Sequence, residues 1–486
     1  MTLNVLFLAA EAEPFIKVGG LGDVAGALPE AIHKAARPGS GLPEVDIRLV
    51  IPFHYAIKER HFETQYLGEF DVEKVEGVEK CQVYLYDKGE IPVYLLDGLP
   101  IDEKSPVYSI DPIHDGYKFV FFSLAALALP KFLDWRVDIL QANDWHTATA
   151  VYALSRGKYR KGHLKATRSI LSLHNLPFMG FGVQQALTDY GLPPIEDPIL
   201  PEWARHSPLP MGLYSADRII AVSPHYAEEI LTPEFGCGLD DFLKTRQDVI
   251  SGILNGLDTD RWDPKTDPAL TQNYDFADLS LRRQNKAALQ AHFGLEVNSE
   301  IPLLTLVSRM DPQKGIDIAL RGLHYCQEEN WQAVILGTGI PYVEEMAREL
   351  EVAFPDQVRS IIKFDGTLAH QLYAAADIFM MPSRYEPCGL SQMISMRYGC
   401  VPIARATGGL ADTIRYSPRN PEKSTGVLFK KPYPSAFASA LKQTFKLYQE
   451  PEVWRQIQAN GMACDFSWEQ SARKYVAVYE ELVSKN

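Results

Sequence analysis

Hydrophobic positions along this chain fall into short, nearly unbroken runs separated by stretches with a helical repeat. The first half holds NVLFLAA, DIRLVIP, DILQAN, RSILSLH and RIIAVS, and the second half PLLTLVSR, QAVILGTG, SIIKFD, DIFMMPS and VPIARA. A strand with one wet face alternates apolar and polar residues. A strand that is apolar throughout is covered on both faces, as in a parallel sheet between helical layers. The pattern therefore predicts α/β architecture in both halves. Between the halves, residues 255–280 are rich in Asp, Pro and Asn and read as the passage from a first domain to a second. Near the end, Ala472, Tyr475, Val476, Tyr479 and Leu482 recur at helical spacing and mark one face of a last helix, which could cover the first domain.

Composition narrows the class. At 486 residues the chain exceeds what one hydrophobic core organises, so two domains are expected. With 46% hydrophobic and 23% charged residues it reads as an ordinary soluble protein. A net charge of -14 argues against nucleic acid or an anionic membrane as partner, so any anionic ligand must be caught by a few placed cations and helix N-termini. Six scattered cysteines without a C-x-x-C pair suit a reducing compartment and offer no zinc or disulfide framework. The longest apolar run, residues 119–130, is too short to span a bilayer. The strand pattern starts almost at once and leaves no room for a leader. The expected location is the cytoplasm, or a plastid stroma after loss of a transit peptide.

The stretch KVGGLGDVAGALP, residues 17–29, has the glycine spacing of a dinucleotide turn in Gly20, Gly22 and Gly26. Two features oppose that reading. EAEPFIKVG separates it from the apolar run, and DIRLVIP ends without the carboxylate that would hold a ribose. Lys17 and Asp23 instead flank an expected helix N-terminus, a combination able to grip phosphate oxygens and hydroxyls. In SRMDPQKGID, Arg309 at a strand end and Lys314 before a helix suit a diphosphate. In SRYEPCGLSQ, Glu386 precedes Gly389, Leu390 and Ser391, whose amides open a helix and can bind an anion; the carboxylate beside them suits sugar hydroxyls, or a helix cap. RATGGLADTI adds a glycine turn explained equally by close packing. NDWHTA and SLHNLPF place Asp144, His146, His174 and Asn175 at strand ends, where α/β sites form. Their spacing does not suit zinc, and the D-x-D at Asp258 and Asp260 reads as a loop rather than a metal site.

Taken in order and spacing, these motifs, with EFGCGLDDFLKTR, GILNGLDTDRWDP and FSWEQSARKY, resemble the bacterial and plant glycogen/starch synthases over essentially the whole chain. The KVGG opening and FDGTLAH look closer to soluble starch synthase-type sequences than to KTGG forms. The resemblance implies a GT-B fold of two Rossmann-like domains with a deep cleft between them. Residues 1–254, completed by 466–486 as a returning helix, would form the acceptor-side domain and 255–465 the nucleotide-sugar domain. It implies a retaining transfer of glucose from ADP-glucose or UDP-glucose to the 4-OH end of an α-1,4-glucan, with no metal and no cofactor. By motif, Arg309 and Lys314 would bind the diphosphate, Glu386 the donor glucose, and Cys388, Gly389, Leu390 and Ser391 the phosphate. Phe364 would stack on the base. Lys17, Gly20 and Asp23 would complete the donor site. The His174 carbonyl would lie under the anomeric carbon, and Asp144, His146, Asn175 and Asn255 would line the glucose and acceptor side. Ile394 stands where many GT-B enzymes carry a second Glu, a position that this branch also lacks. The alternative is a catalytically silent glucan-binding scaffold, opposed by the presence of Arg309, Lys314 and Glu386 together. A sucrose-forming transferase of the same fold would differ in its acceptor. A glycosidase would need a pair of carboxylates that no motif supplies.

Overall fold

The computed structural model describes residues 2–101 and 104–484; Met1, Lys485 and Asn486, at the outer ends of the expected first domain, lie outside the described residues. The chain divides into two compact units, one running to Gly256 and resuming at Trp468, the other spanning Leu257–Ser467.

The first unit is built on nine strands: β1 (Thr2–Leu8), β2 (Glu44–Pro52), β3 (Gln65–Glu73), β4 (Val78–Tyr86), β5 (Val93–Asp97), β6 (Ile139–Asn143), β7 (Arg168–Leu173), β8 (Arg218–Ala221) and β9 (Ile250–Gly252). Their order is β3-β4-β5-β2-β1-β6-β7-β8-β9. Pairing is parallel from β5 to β9, and β4 runs antiparallel to both β3 and β5. The all-parallel expectation therefore fails at one edge. There β3 alternates exposed and half-buried residues, a pattern unlike the solid apolar runs of the centre. The second unit holds β10 (Leu303–Val307), β11 (Gln332–Gly337), β12 (Val358–Ile362), β13 (Ile378–Met381), β14 (Val401–Arg405) and β15 (Val427–Phe429), parallel throughout in the order β12-β11-β10-β13-β14-β15.

In each sheet the chain builds one side of its first strand, β2–β5 or β11–β12, and then returns to that strand's other side. The order reverses between β1 and β6, and again between β10 and β13. Adjacent loops at such a point leave in opposite directions and open a crevice beyond the carboxyl ends of the strands. Most of the candidate motifs described below lie at these two places.

Residues 255–280 are not a loose passage. Leu257 and Tyr274 are buried in the second unit's core, the Trp262 ring stacks on His370 at 4.0 Å, and the Tyr274 hydroxyl donates to the Tyr398 carbonyl at 2.8 Å. A few large aromatic rings supply what the polar composition lacks. Within this stretch the Asp258 carboxylate accepts from the amides of Asp260 and Arg261, both at 3.0 Å, so the D-x-D is a backbone turn.

The last helix, Trp468–Ser484, packs in the first unit against the helix Gly20–Ala35. Ala472, Tyr475, Val476, Tyr479 and Leu482 are all buried there, and the Tyr479 hydroxyl donates to Gln141 Oε1 on β6. Tyr479→Ala is expected to destabilise the protein by about 3–5 kcal/mol, because it opens a cavity in this core and orphans Gln141. Tyr479→Phe should cost about 1–3 kcal/mol, and urea unfolding of the two variants measures the difference.

Candidate functional site

The crevice of the second unit lies between the segments that follow β10 and β13. After β10 the chain runs two residues to Arg309, which therefore lies just past the strand end. It then makes a single 3-10 turn, Pro312–Lys314, whose N-cap Asp311 accepts the Lys314 amide. Gly315 follows with φ 61°, a left-handed conformation suited to glycine. A Cβ on it would fall 2.2 Å from the Pro382 carbonyl, so glycine also lets the two loops touch. That contact brings the two principal candidates together. Lys314 Nζ lies 2.7 and 2.9 Å from the two carboxylate oxygens of Glu386, and Ser383 Oγ donates to the same carboxylate at 3.0 Å. Glu386 is buried, and its backbone carbonyl accepts from the Gly409 amide at 3.1 Å. The RATGG turn thus serves to hold the Glu386 loop.

Gly389 has φ 77°, and the helix that follows is Ser391–Arg397, one residue beyond the expected Leu390. Neither the Leu390 cap position nor its neighbours supply a side-chain cap. Ser391, Ser383 and Lys314 border a cavity of about 20 Å³, room for roughly one water. Cys388 is buried behind this turn. Arg309 is mostly exposed and reaches only Asp311, at 3.4 Å. Phe364, past the end of β12, is 90% exposed, an apolar ring that nothing in the second unit covers.

In the first unit the crevice beyond β1 and β6 holds a buried polar cluster. Asp144 opens the helix Asp144–Ser155 with φ 54°, and its Oδ1 accepts the amides of His174 (2.7 Å) and Asn175 (3.3 Å). Burial pushes its carboxyl up to about 7, against the pull of those two amides. His174 Nε2 faces Asn143 Oδ1 at 2.9 Å, while Asn143 Nδ2 donates to the Leu8 carbonyl. The His146 ring sits between Trp145, Phe119 and Tyr108, at 4.3, 4.7 and 4.8 Å. His146 Nδ1, Asn175 Oδ1 and Asn255 Oδ1 are among the buried polar atoms of this unit that find no hydrogen-bond partner. Each such atom costs stability unless a ligand or water satisfies it.

Gly20 and Gly22 lie within the first turn of the helix Gly20–Ala35, so the stretch read as a glycine loop is already helical there. A Cβ on Gly20 would meet nothing within 4 Å, so packing does not explain that glycine. Lys17 Nζ pairs with Asp23 at 2.5 Å and approaches Glu13 at 3.5 Å. Sequence reasoning missed Glu11, Tyr108, His54 and Asn143, all in or against this cluster. The one signal for Glu11 was an acid directly after an apolar run.

Burial, with nearby lysines, holds His54 down to about 4; burial alone holds His174 there; and His146 lies well below the usual range. The unfolded chain binds these protons near 6.5 while the folded chain refuses them, so each histidine lowers stability as pH falls from about 6.5 to 4. Asp144 acts in the opposite sense, binding its proton in the fold up to about 7. Three histidines outweigh the two carboxyls that burial raises, Asp144 and Glu11, and stability should fall on acidification through that window. His54→Gln, which keeps a donor for the Ala10 carbonyl, should make the fall shallower by about one proton, measured by urea unfolding at pH 5 and 7.

Among the described residues, no group of three or more His, Cys, Asp or Glu side chains could hold a metal ion, and no helix is long and apolar enough to cross a membrane.

Residues 4–245 match the family model for the starch synthase catalytic domain and residues 290–460 that for glycosyl transferases group 1. The chain is 39% identical to a glycogen synthase of Lactiplantibacillus plantarum and 38% identical to one of Thermotoga maritima, over 99% of both chains in each case. The catalytic domain of starch synthase IV from Arabidopsis thaliana, solved with ADP and acarbose, superposes with a TM-score of 0.87 at 30% identity over the full length of both chains. A sucrose-phosphate synthase from Thermosynechococcus elongatus (TM-score 0.60, 19% identity, full coverage) shares the fold alone. The two sheets, parallel but for one edge of the first, and these likenesses make the fold GT-B. The chain belongs to the glycogen synthase family, the glycosyltransferases that add glucose to a glucan chain.

Proposed function

We propose that this protein extends α-1,4-glucan with glucose from ADP-glucose, UDP-glucose being the alternative donor, with retention and without metal or cofactor. The observation that carries the reading is the Lys314–Glu386 pair at the strand-order reversal of the second unit. A donor places negative diphosphate and neutral hydroxyls side by side. Lys314 turns to the first with Arg309 and the amides of Gly389, Leu390 and Ser391, and Glu386 is left to accept from the second. Phe364 offers its exposed face to the base. On the first unit, Lys17 and Asp23 engage the donor, and the unpartnered atoms of His146, Asn175 and Asn255 suit glucose and acceptor hydroxyls. Asp144 fixes the turn at His174, whose carbonyl meets positive charge at the anomeric carbon.

As the glycosidic bond to phosphate breaks, the leaving oxygens gain negative charge and the sugar positive charge. Lys314 and Arg309 stabilise the first without reorganisation. With no carboxylate assigned as a nucleophile, the acceptor attacks from the leaving-group face, and the diphosphate takes the acceptor's proton. Trapping a covalent glucosyl-enzyme would contradict that step. Six free cysteines suit the cytoplasm as the place of work.

The test is incubation with glycogen and labelled ADP-glucose or UDP-glucose, with and without EDTA. Label should enter polymer that α-amylase digests, at the same rate with chelator. Loss of activity in EDTA would restore a metal to the mechanism. No incorporation from either donor would favour the silent scaffold.

A further inference from the structure

Glu11 is the third residue beyond β1 and is only 1% exposed. A carboxylate so deeply buried is costly unless donors surround it. Here they come from one loop and one ring. Its oxygens accept the Val18 amide, the Gly19 amide at 3.0 and 3.1 Å, and the Tyr108 hydroxyl at 2.9 Å. Burial raises the Glu11 pKa, and the two amides and the tyrosine pull it back.

The clasp grips the residues that immediately follow Lys17, so it sets where the lysine leaves the backbone. The Lys17 side chain is then steadied by Asp23 and Glu13. Gly22 leaves the space this needs. A Cβ there would fall 3.2 Å from Glu11 Oε2 and 3.0 Å from Lys17 Cγ. Tyr108, on the other side, packs against His146, so the carboxylate bridges the lysine loop and the buried polar cluster. Lone carboxylates at strand ends often cap a turn, but a cap needs neither the tyrosine nor the room kept beside the lysine.

We propose that Glu11 is a positioning residue for Lys17: it clamps the Val18 and Gly19 amides so that the ammonium is held ready for the donor's phosphate. The proposal rests on the reading of Lys17 given above. Glutamine at position 11 conserves size but carries no charge, and in either orientation its NH2 faces the Gly19 amide, which weakens the clamp.

The experiment compares steady-state kinetics of wild type, Glu11→Gln, Lys17→Ala and the double variant, using the donor that proves active and glycogen. Glu11→Gln should lower kcat/KM for the donor about 10–100-fold, the equivalent of one charge-assisted contact, with the glycogen KM unchanged. The double variant should be no slower than Lys17→Ala, because one residue acts through the other. Tyr108→Phe should follow in the same direction with a smaller loss. If Glu11→Gln does not fold, as judged by circular dichroism and thermal unfolding, Gly22→Ala replaces it, with the same expected split and the same lack of additivity. Wild-type kinetics in the clamp variant, or losses that multiply in the double variant, would overturn the role of Glu11. Wild-type kinetics in Lys17→Ala would instead overturn the donor role of Lys17 itself, and the positioning proposal with it.

Discussion

Glu386→Ala and Lys314→Ala are each expected to slow glucosyl transfer by about 10²–10³-fold, the usual effect of removing one preorganised contact to developing charge. The two variants should differ in stability, and the difference follows from burial. The Lys314 side chain is 19% exposed and the Glu386 side chain 6%. When Glu386 is removed, the ammonium can turn to solvent and little stability is lost. When Lys314 is removed, a buried carboxylate is left with Ser383 as its remaining side-chain donor, a situation that costs up to about 3–5 kcal/mol. The double variant should therefore be more stable than Lys314→Ala, yet slower than either single variant, because the two residues meet different parts of the donor. Kinetics and urea unfolding of the three proteins check both statements. Near-wild-type turnover in either single variant removes that residue from the catalytic set.

Asp144→Ala should lower kcat about 10²-fold, and Asp144→Asn less than tenfold. The carboxylate orders the backbone at His174 and Asn175, and alanine leaves both amides without an acceptor in a buried site. Alanine is also strained at φ 54°, where asparagine is tolerated and keeps an acceptor oxygen. Because burial brings the Asp144 carboxyl up to about 7, its charge changes near neutrality. Any break in the kcat profile that belongs to this group should disappear in Asp144→Asn. Rates measured from pH 5.5 to 8.5 for the wild type and both variants decide this. Equal losses in the alanine and asparagine variants would show that charge, rather than backbone order, is what the site needs.

The sequence pattern carried ten strands, β1, β2, β6–β8 and β10–β14, because parallel strands between helices are apolar along most of their length; β5, equally buried inside the sheet, was missed. The edge strand β3 and its neighbour β4 escaped it because one wet face breaks the run, and β9 and β15 because three residues carry no period. The last helix was legible from its five-residue stripe. Residues 255–280 were misread because two aromatic rings, the buried Tyr274 and the partly buried Trp262, outweigh the polar residues around them, and composition averages over both. At the site, motif order named Lys314 and Glu386 but assigned them to separate tasks. Their direct pairing depends on the contact between Gly315 and the Pro382 carbonyl, which joins positions nearly seventy residues apart. Glu11 and Tyr108 were illegible for the same reason: an acid after a strand and a tyrosine in a loop acquire meaning only when the fold places them against Val18, Gly19 and His146.

The central claim is that the crevice between β10 and β13 holds the donor's diphosphate through Lys314. Calorimetric titration of ADP into wild type and Lys314→Ala, at one fixed ionic strength, tests it most directly. The claim predicts measurable ADP binding to the wild type and affinity about 10–100-fold weaker in the variant. Equal affinity in the two proteins would contradict it.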